Sequence, residues 1–192
     1  GGDHAVTHTM ILPSAECLKD KDPYAFALCR IEPENNAHMI LEAFATGKLN
    51  LVFVGNWQAS DYGRDLQRRY SNVPSIEMIK PIYDLHTLAG YRRNCEVYVH
   101  GHSAGGTNPS LVEMMHFDKP IVAFDCVYNR ATLDDLGQYF SSVSTLSRIF
   151  EEGVIHNDGV KFGDLARCRY TWRIVRKQYR ELFYSDEECV NV

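Results

Sequence analysis

Residues 97–125 read VYVHGHSAGGTNPSLVEMMHFDKPIVAFD. The stretch divides into four parts. An apolar run ends in Gly101, a Gly-rich turn follows, then a segment with helical spacing, and then the apolar run Pro120–Asp125. Apolar runs of this length beside an amphipathic segment predict strand, turn, helix, strand. Gly101, Gly105 and Gly106 permit tight turns and close approach of a ligand to the backbone. Pro109 suits a first helical turn, where its missing N–H is not needed. The unpaired N–H groups of Gly106, Thr107 and Asn108 are then expected to point from the helix start towards an anion such as a diphosphate. Glu113 falls about one turn later, where its carboxylate can accept hydrogen bonds from a ribose diol.

Outward from this stretch the same alternation repeats. Strands are expected at 24–31, 49–55, 75–80, 95–101, 120–125 and, briefly, 138–140. Helices are expected at 37–46, 61–71, 83–94, 110–117 and 144–153, the last ended by Gly153, and at 162–185 as one long helix or a broken pair. In the first helix Met39, Ile40, Ala43 and Phe44 form the apolar stripe. Strand–helix units with short links predict an α/β fold: a Rossmann-like parallel sheet with helices on both faces. Such sheets bind ligands beyond the C-terminal strand ends, where strand order reverses. Residues 23–185 form the expected domain, 1–22 an interdomain linker and 186–192 a tail. The chain begins with Gly1 and not Met, so it is expected to start inside a longer protein.

Composition narrows the classes. The 192 residues are 45% apolar with a net charge of −5. The acidic balance argues against nucleic acid as a partner. No run of about 18 apolar residues predicts a membrane-spanning helix, and the first residues lack the order of a secretory signal. Six cysteines are scattered without a CxxC pair, which predicts a reducing, cytoplasmic setting without structural zinc; Cys29, Cys95 and Cys126 sit in or beside apolar runs and read as buried thiols.

The 97–125 stretch resembles the donor-binding signature of glycosyltransferase family 4, enzymes with two Rossmann-like domains in the GT-B architecture. In that family a Gly-rich turn leads into P-x-x-E-A-M and a K-P-V-V-A-type strand; here Pro109 to Met115 and Lys119 to Ala123 match. Glu113 matches the second Glu of the family's E-x7-E motif, which holds the nucleotide ribose. The first Glu would fall at Gly105, so this chain lacks that carboxylate. CRIEPENNAHMILEAF (29–44) resembles G-R-L-x-x-E-K-G-x-x-x-L-L-E-A-F. Arg30 therefore matches the Arg that pairs with the donor diphosphate, and Asn35 stands where the family carries a Lys. Ile82 matches the loop that meets the base. Residues 170–183 resemble the family's F-S-W-x-x-I-x-x-x-Y-x-x-L-Y tail helix.

The resemblance covers roughly residues 24–183. It implies the C-terminal half of a GT-B enzyme with Arg30 as the catalytic cation. Ile82, Ser103, Gly105, Gly106, Thr107, Asn108 and Glu113 form the donor site. The resemblance also implies a nucleotide-diphosphate sugar as substrate, with no cofactor and no metal. The glycan or lipid-linked acceptor would be held by an absent N-terminal half, so the fragment alone would not turn over. The HSAGGTNPSLVE form resembles bacterial rhamnosyltransferase-like members, which implies surface polysaccharide synthesis at the inner face of the membrane by peripheral association.

Two rival readings remain open on the sequence. Gly101 to Gly105 match G-x-S-x-G, the nucleophile elbow of α/β-hydrolases, with Asp125 and His156 as candidate partners of Ser103. The domain could equally bind a nucleotide without catalysing anything, because fold does not fix function. His100 and His102 form an H-x-H pair without a third ligand, which predicts structural histidines rather than a metal site.

Overall fold

The computed structural model describes residues 22–152 and 159–184. The expected linker 1–22 (apart from Asp22), the tail 186–192, the Gly153 cap and His156 lie outside the described residues. Six strands form one parallel sheet: β1 Tyr24–Leu28, β2 Asn50–Val54, β3 Ile76–Ile79, β4 Val97–His100, β5 Ile121–Phe124 and β6 Gln138–Phe140. Their order is β3-β2-β1-β4-β5-β6. The chain runs outward from β1 to one edge, crosses back to β4, and runs outward to the other. Strand order thus reverses between β1 and β4, and a crevice opens beyond Leu28 and His100.

Alternation along the strands builds two cores, one on each face. Ala25, Ala27, Leu51, Phe53, Val97, Val99 and Val122 pack against Ile40, Leu41 and Phe44 of α1 (Ala37–Ala45), Leu66 of α2 (Asp61–Tyr70) and Leu146 of α6 (Val143–Glu151). Tyr24, Phe26, Val52, Val54, Tyr98, Ile121 and Ala123 point the other way. They meet Leu88 and Tyr91 of α3 (Leu85–Asn94), Leu111, Met114 and Met115 of α4 (Pro109–Met115) and Phe162 of α7 (Gly159–Arg169). Strands buried on both faces read as continuous apolar runs, which is why the strands stand out in the sequence. Four helix starts are capped by side chains: Ser60 accepts from Gly63 N, Asp84 from Thr87 N, Asn108 from Ser110 N and Ser142 from Thr145 N.

The structure corrects three expectations and decides between the two alternatives for the C-terminal segment. β1 stops at Leu28 rather than residue 31, because the chain leaves the sheet there: Ile31 N donates to Asn56 Oδ1 at 2.6 Å, and Pro33–Asn35 form a 3-10 turn. A helix absent from the sequence reading, α5 (Val127–Leu133), fills the link after β5. It shows no apolar stripe because its buried face carries Asn129 and Thr132. The C-terminal segment is the broken pair, with α7 ending at Arg169 and α8 spanning Trp172–Tyr184. Of the three thiols expected inside, Cys95 is buried, but Cys29 and Cys126 are only half-buried, since both stand where strands give way to loops at the crevice end.

Among the described residues no helix is long and apolar enough to cross a membrane.

Candidate functional site

The crevice at the strand reversal holds a cleft of about 650 Å³ lined by the ends of β1, β2 and β4, the loop after β3 and the start of α4. Four of the eight expected site residues line it: Arg30, Ile82, Asn108 and Glu113. Ser103, Gly105, Gly106 and Thr107 do not, and lie along its rim in the loop that leads to α4. None of the N–H groups of Gly106, Thr107 and Asn108 donates a hydrogen bond among the described residues, so all three are open to an acceptor. Gly105 holds φ +90°, a conformation a side chain rarely adopts. A Glu at that place would strain the backbone as it stands here.

The loops after β1 and β4 are tied together by several contacts, among them a backbone bond from Ser103 N to the Glu34 carbonyl at 2.9 Å. Asn35 Oδ1 meets His102 Nδ1 at 2.7 Å, Asn36 Nδ2 donates to the Gly101 carbonyl at 2.9 Å, and Ser103 Oγ donates to the Glu34 carbonyl at 2.8 Å. The approach is so close that a Cβ on Gly101 would stand 2.2 Å from the Asn35 carbonyl oxygen. Asn35 also donates from Nδ2 to the Arg30 carbonyl at 2.8 Å. It is therefore a buried bridge (5% exposed) and not a group aimed at ligand. Asn129 of α5 braces the second loop by donating to the His102 carbonyl at 2.8 Å.

Charge in the cleft is sparse. Arg30 reaches out with its side chain 76% exposed, and its one ionic contact among the described residues is Glu32 at 3.5 Å. Such an open pair contributes little to stability and leaves the guanidinium available. Glu113 is paired with Arg92 Nη2 at 2.5 Å through Oε2. Arg92 comes from α3, is buried, and lies with its guanidinium 5.7 Å from the Phe117 ring centre. Arg92 escaped sequence reasoning. Only its place in YRRN at a helix end, one turn after the apolar Leu88, signals an inward side. Tyr83, at the end of the loop Pro81–Tyr83 expected to meet the base, is 89% exposed at the cleft wall beside Ile82.

The histidines differ. His100 is fully enclosed, with Nδ1 3.4 Å from Tyr98 OH, and burial pushes its pKa down to about 3. His102 lines the cleft, and its pKa is lowered, first by burial, against the raising effect of Glu34. Both are neutral at pH 7.

Ser103 does not sit as a hydrolase nucleophile. Its Oγ donates to a backbone carbonyl, and five residues lie between it and the helix start at Pro109, whereas a nucleophile elbow opens directly into its helix. Asp125 is held by Arg130 at 2.6 Å, and its candidate partner His156 lies outside the described residues.

Comparison with known proteins agrees with this geometry. The family model "Glycosyl transferases group 1" matches residues 12–140, more than half of the chain. This chain belongs to the glycosyl transferases group 1 family. Its fold matches the C-terminal half of GT-B enzymes. HepE of Anabaena, solved in complex with UDP, superposes with a TM-score of 0.69 at 15% identity over 85% of this chain and 49% of HepE. A glycosyltransferase from Rickettsia africae superposes at 0.72, with 10% identity over 86% of this chain and 48% of its own. The C-terminal domain of the group 1 protein LpcC from Francisella tularensis superposes at 0.64, with 15% identity over 78% of this chain and 87% of that domain. The chain thus spans about half the length of HepE and of the Rickettsia enzyme, and most of an isolated C-terminal domain. No curated protein matches the chain.

Proposed function

We propose that this chain is the donor-binding half of a retaining glycosyltransferase that takes a pyrimidine nucleotide-diphosphate sugar. The observation that carries the reading is the convergence of Arg30, Ile82, Asn108 and Glu113 on one cleft at the strand reversal. HepE was solved with UDP and with UDP-glucose, which supports uridine donors as the first class to test. In this reading the base rests on Pro81–Tyr83, and Glu113 holds the ribose hydroxyls with the oxygen that Arg92 leaves free. Arg30 and the open N–H groups of Gly106–Asn108 take the diphosphate. Ser103, Gly105 and Thr107 shape the rim of that loop.

The chemistry breaks the bond between the anomeric carbon and the β-phosphate oxygen. The acceptor hydroxyl oxygen bonds to the same face of that carbon, and its proton passes to the departing phosphate. Charge grows on the leaving diphosphate, so fixed cations and amides already aimed at it lower the barrier. The acceptor, a glycan or lipid-linked sugar, would be held by the other half of the GT-B architecture. Rhamnose is the sugar and surface polysaccharide the product implied by the subfamily resemblance, at the inner membrane face.

Thermal denaturation with UDP-glucose, UDP-N-acetylglucosamine, dTDP-rhamnose and GDP-mannose tests this. A ligand at a hundred times its Kd stabilises by about 2.7 kcal/mol, which raises Tm by roughly 5–10 °C at this size. No shift with any of them at millimolar concentration would sink the reading.

A further inference from the structure

A diphosphate esterified at both ends carries two negative charges, and the cleft as it stands supplies one free cation. Among the described residues that line it, the arginines are Arg30 and Arg92, and there is no lysine. Arg92 is already neutralised by Glu113. Asn35, which lines the cleft beside Arg30, is uncharged and has both ends of its amide engaged. One basic group remains on that wall, the imidazole of His102.

The contacts of Asn35 define the state of this ring. Its Nδ2 donates to the Arg30 carbonyl, so the oxygen Oδ1 is the end that faces His102 Nδ1 at 2.7 Å. An oxygen there requires a proton on Nδ1, and the neutral ring then carries its lone pair on Nε2. Nε2 has no side-chain partner among the described residues. A Cβ on Gly105 would stand 3.7 Å from it, so Nε2 lies beside the loop whose N–H groups are open, where the Ala104 backbone also meets the ring. The ring is thus anchored at one nitrogen and basic at the other.

We propose that His102 is the second cation of the donor site: it takes up a proton at Nε2 as the diphosphate arrives and binds it as an imidazolium. The inference rests on the donor-binding reading above. The groups around the ring set the balance. From the loop after β1, Glu34 and Glu32 favour the charged ring and Arg30 opposes it. From its own loop, the backbone of Ala104 favours it. From β4, His100 opposes it, with ring centres 6.1 Å apart, but His100 itself stays neutral down to about pH 3. From α5, the Cys126 thiol lies 3.7 Å from the His102 carbonyl. In the free protein burial outweighs the acidic neighbours and the ring is neutral at pH 7. A diphosphate against Nε2 reverses that balance, because an opposite charge at contact distance favours the protonated form. Proton and ligand then bind together, so affinity strengthens as pH falls from about 8 and levels off once the free ring is itself protonated.

The test is calorimetric titration of this chain with UDP-glucose at pH 7 in two buffers of different ionisation enthalpy, repeated from pH 6 to 8.5. The diphosphate of UDP-glucose does not titrate in this range, so proton uptake reports on protein. A net uptake is expected, with affinity gaining up to about tenfold per unit fall in pH. His102→Asn keeps an amide donor towards Asn35 but cannot charge. It should abolish the uptake and flatten the pH profile, with affinity converging on the unaltered protein above pH 8. Long-range proton–nitrogen NMR of the unaltered protein provides a second readout that needs no variant: the His102 signals should change from the Nδ1–H neutral form to the doubly protonated form on saturation. Binding without uptake, uptake that persists in His102→Asn, or a ring that stays neutral when saturated would each overturn the proposal and leave donor binding intact. No binding by UDP-glucose, UDP-N-acetylglucosamine or dTDP-rhamnose would bring down both.

Discussion

The pair Arg92–Glu113 has one buried and one open end, and this asymmetry yields a prediction that separates stability from binding. The Arg92 side chain is 9% exposed and that of Glu113 57%. Glu113→Ala leaves a guanidinium enclosed, with the Phe117 ring as its remaining neighbour of note. Breaking a fully buried pair costs about 3–5 kcal/mol. One end of this pair is open to water, so we expect about 2 kcal/mol, a fall in Tm of roughly 4–8 °C at this chain length. Arg92→Met removes the buried charge and keeps an apolar stem of similar reach, while the exposed Glu113 carboxylate simply hydrates. That variant should lose about 0.5 kcal/mol, or roughly 1–2 °C. Binding runs differently. Glu113→Ala removes charge-assisted bonds to the ribose, about 1.5–3 kcal/mol or roughly 10- to 150-fold in Kd. Arg92→Met only frees the carboxylate to rotate, about 0.5–1.5 kcal/mol, a roughly two- to twelvefold loss. Thermal denaturation and titration with UDP-glucose read both quantities on the same samples. Equal destabilisation by the two variants, or unchanged affinity in Arg92→Met, would refute the view that Arg92 positions Glu113.

Further predictions concern the rest of the site. Arg30→Ala, at an exposed position, should change stability by less than about 0.5 kcal/mol, yet lower turnover of a full-length enzyme on the order of a hundredfold; near-normal rates would remove Arg30 from the chemistry. Gly101→Ala drives a Cβ into the Asn35 carbonyl and should cost about 1–3 kcal/mol in chemical denaturation; an unchanged midpoint would mean the two loops are not in contact. A fluorophosphonate probe should leave Ser103 unlabelled, since its hydroxyl is engaged by the Glu34 carbonyl, and labelling would revive the hydrolase reading. His100 has a folded pKa near 3, below its unfolded value of about 6.5. The unfolded chain therefore takes up the proton first, and stability present above about pH 6.5 is lost as pH falls towards 3, by up to about 1.4 kcal/mol per unit. His100→Leu should flatten that slope, measured as denaturation midpoints between pH 4 and 7; a slope left unaltered would assign the acid sensitivity to other groups.

The elements that could be read from sequence are those whose burial is purely apolar. The four inner strands appear as apolar runs because the sheet is covered on both faces there, and Ile40, Ala43 and Phe44 announce α1 because its inner face carries no polar atom. Legibility fails where polar groups do the buried work. α5 hides because Asn129 and Thr132 occupy its inner face, and β1 is overextended because Ile31 is apolar yet packs outside the sheet. The same rule governs the site. Arg30, Asn108 and Glu113 follow a motif with fixed spacing along the chain, so position alone brought them to the cleft. Arg92, Asn35 and His102 act through partners 21 and 67 residues away, and no local pattern encodes such pairings. Asn35 shows the consequence most directly. Read along the chain, it is a lost positive charge at a phosphate site. In three dimensions it spends its amide on the Arg30 carbonyl and on His102, which fixes the loop that carries the remaining cation and sets the tautomer of the ring beside it. A lysine there could not accept a hydrogen bond from His102, and its charge would be buried next to Arg30. The neutral residue is therefore the one that allows His102 to keep a basic nitrogen facing the Gly-rich loop.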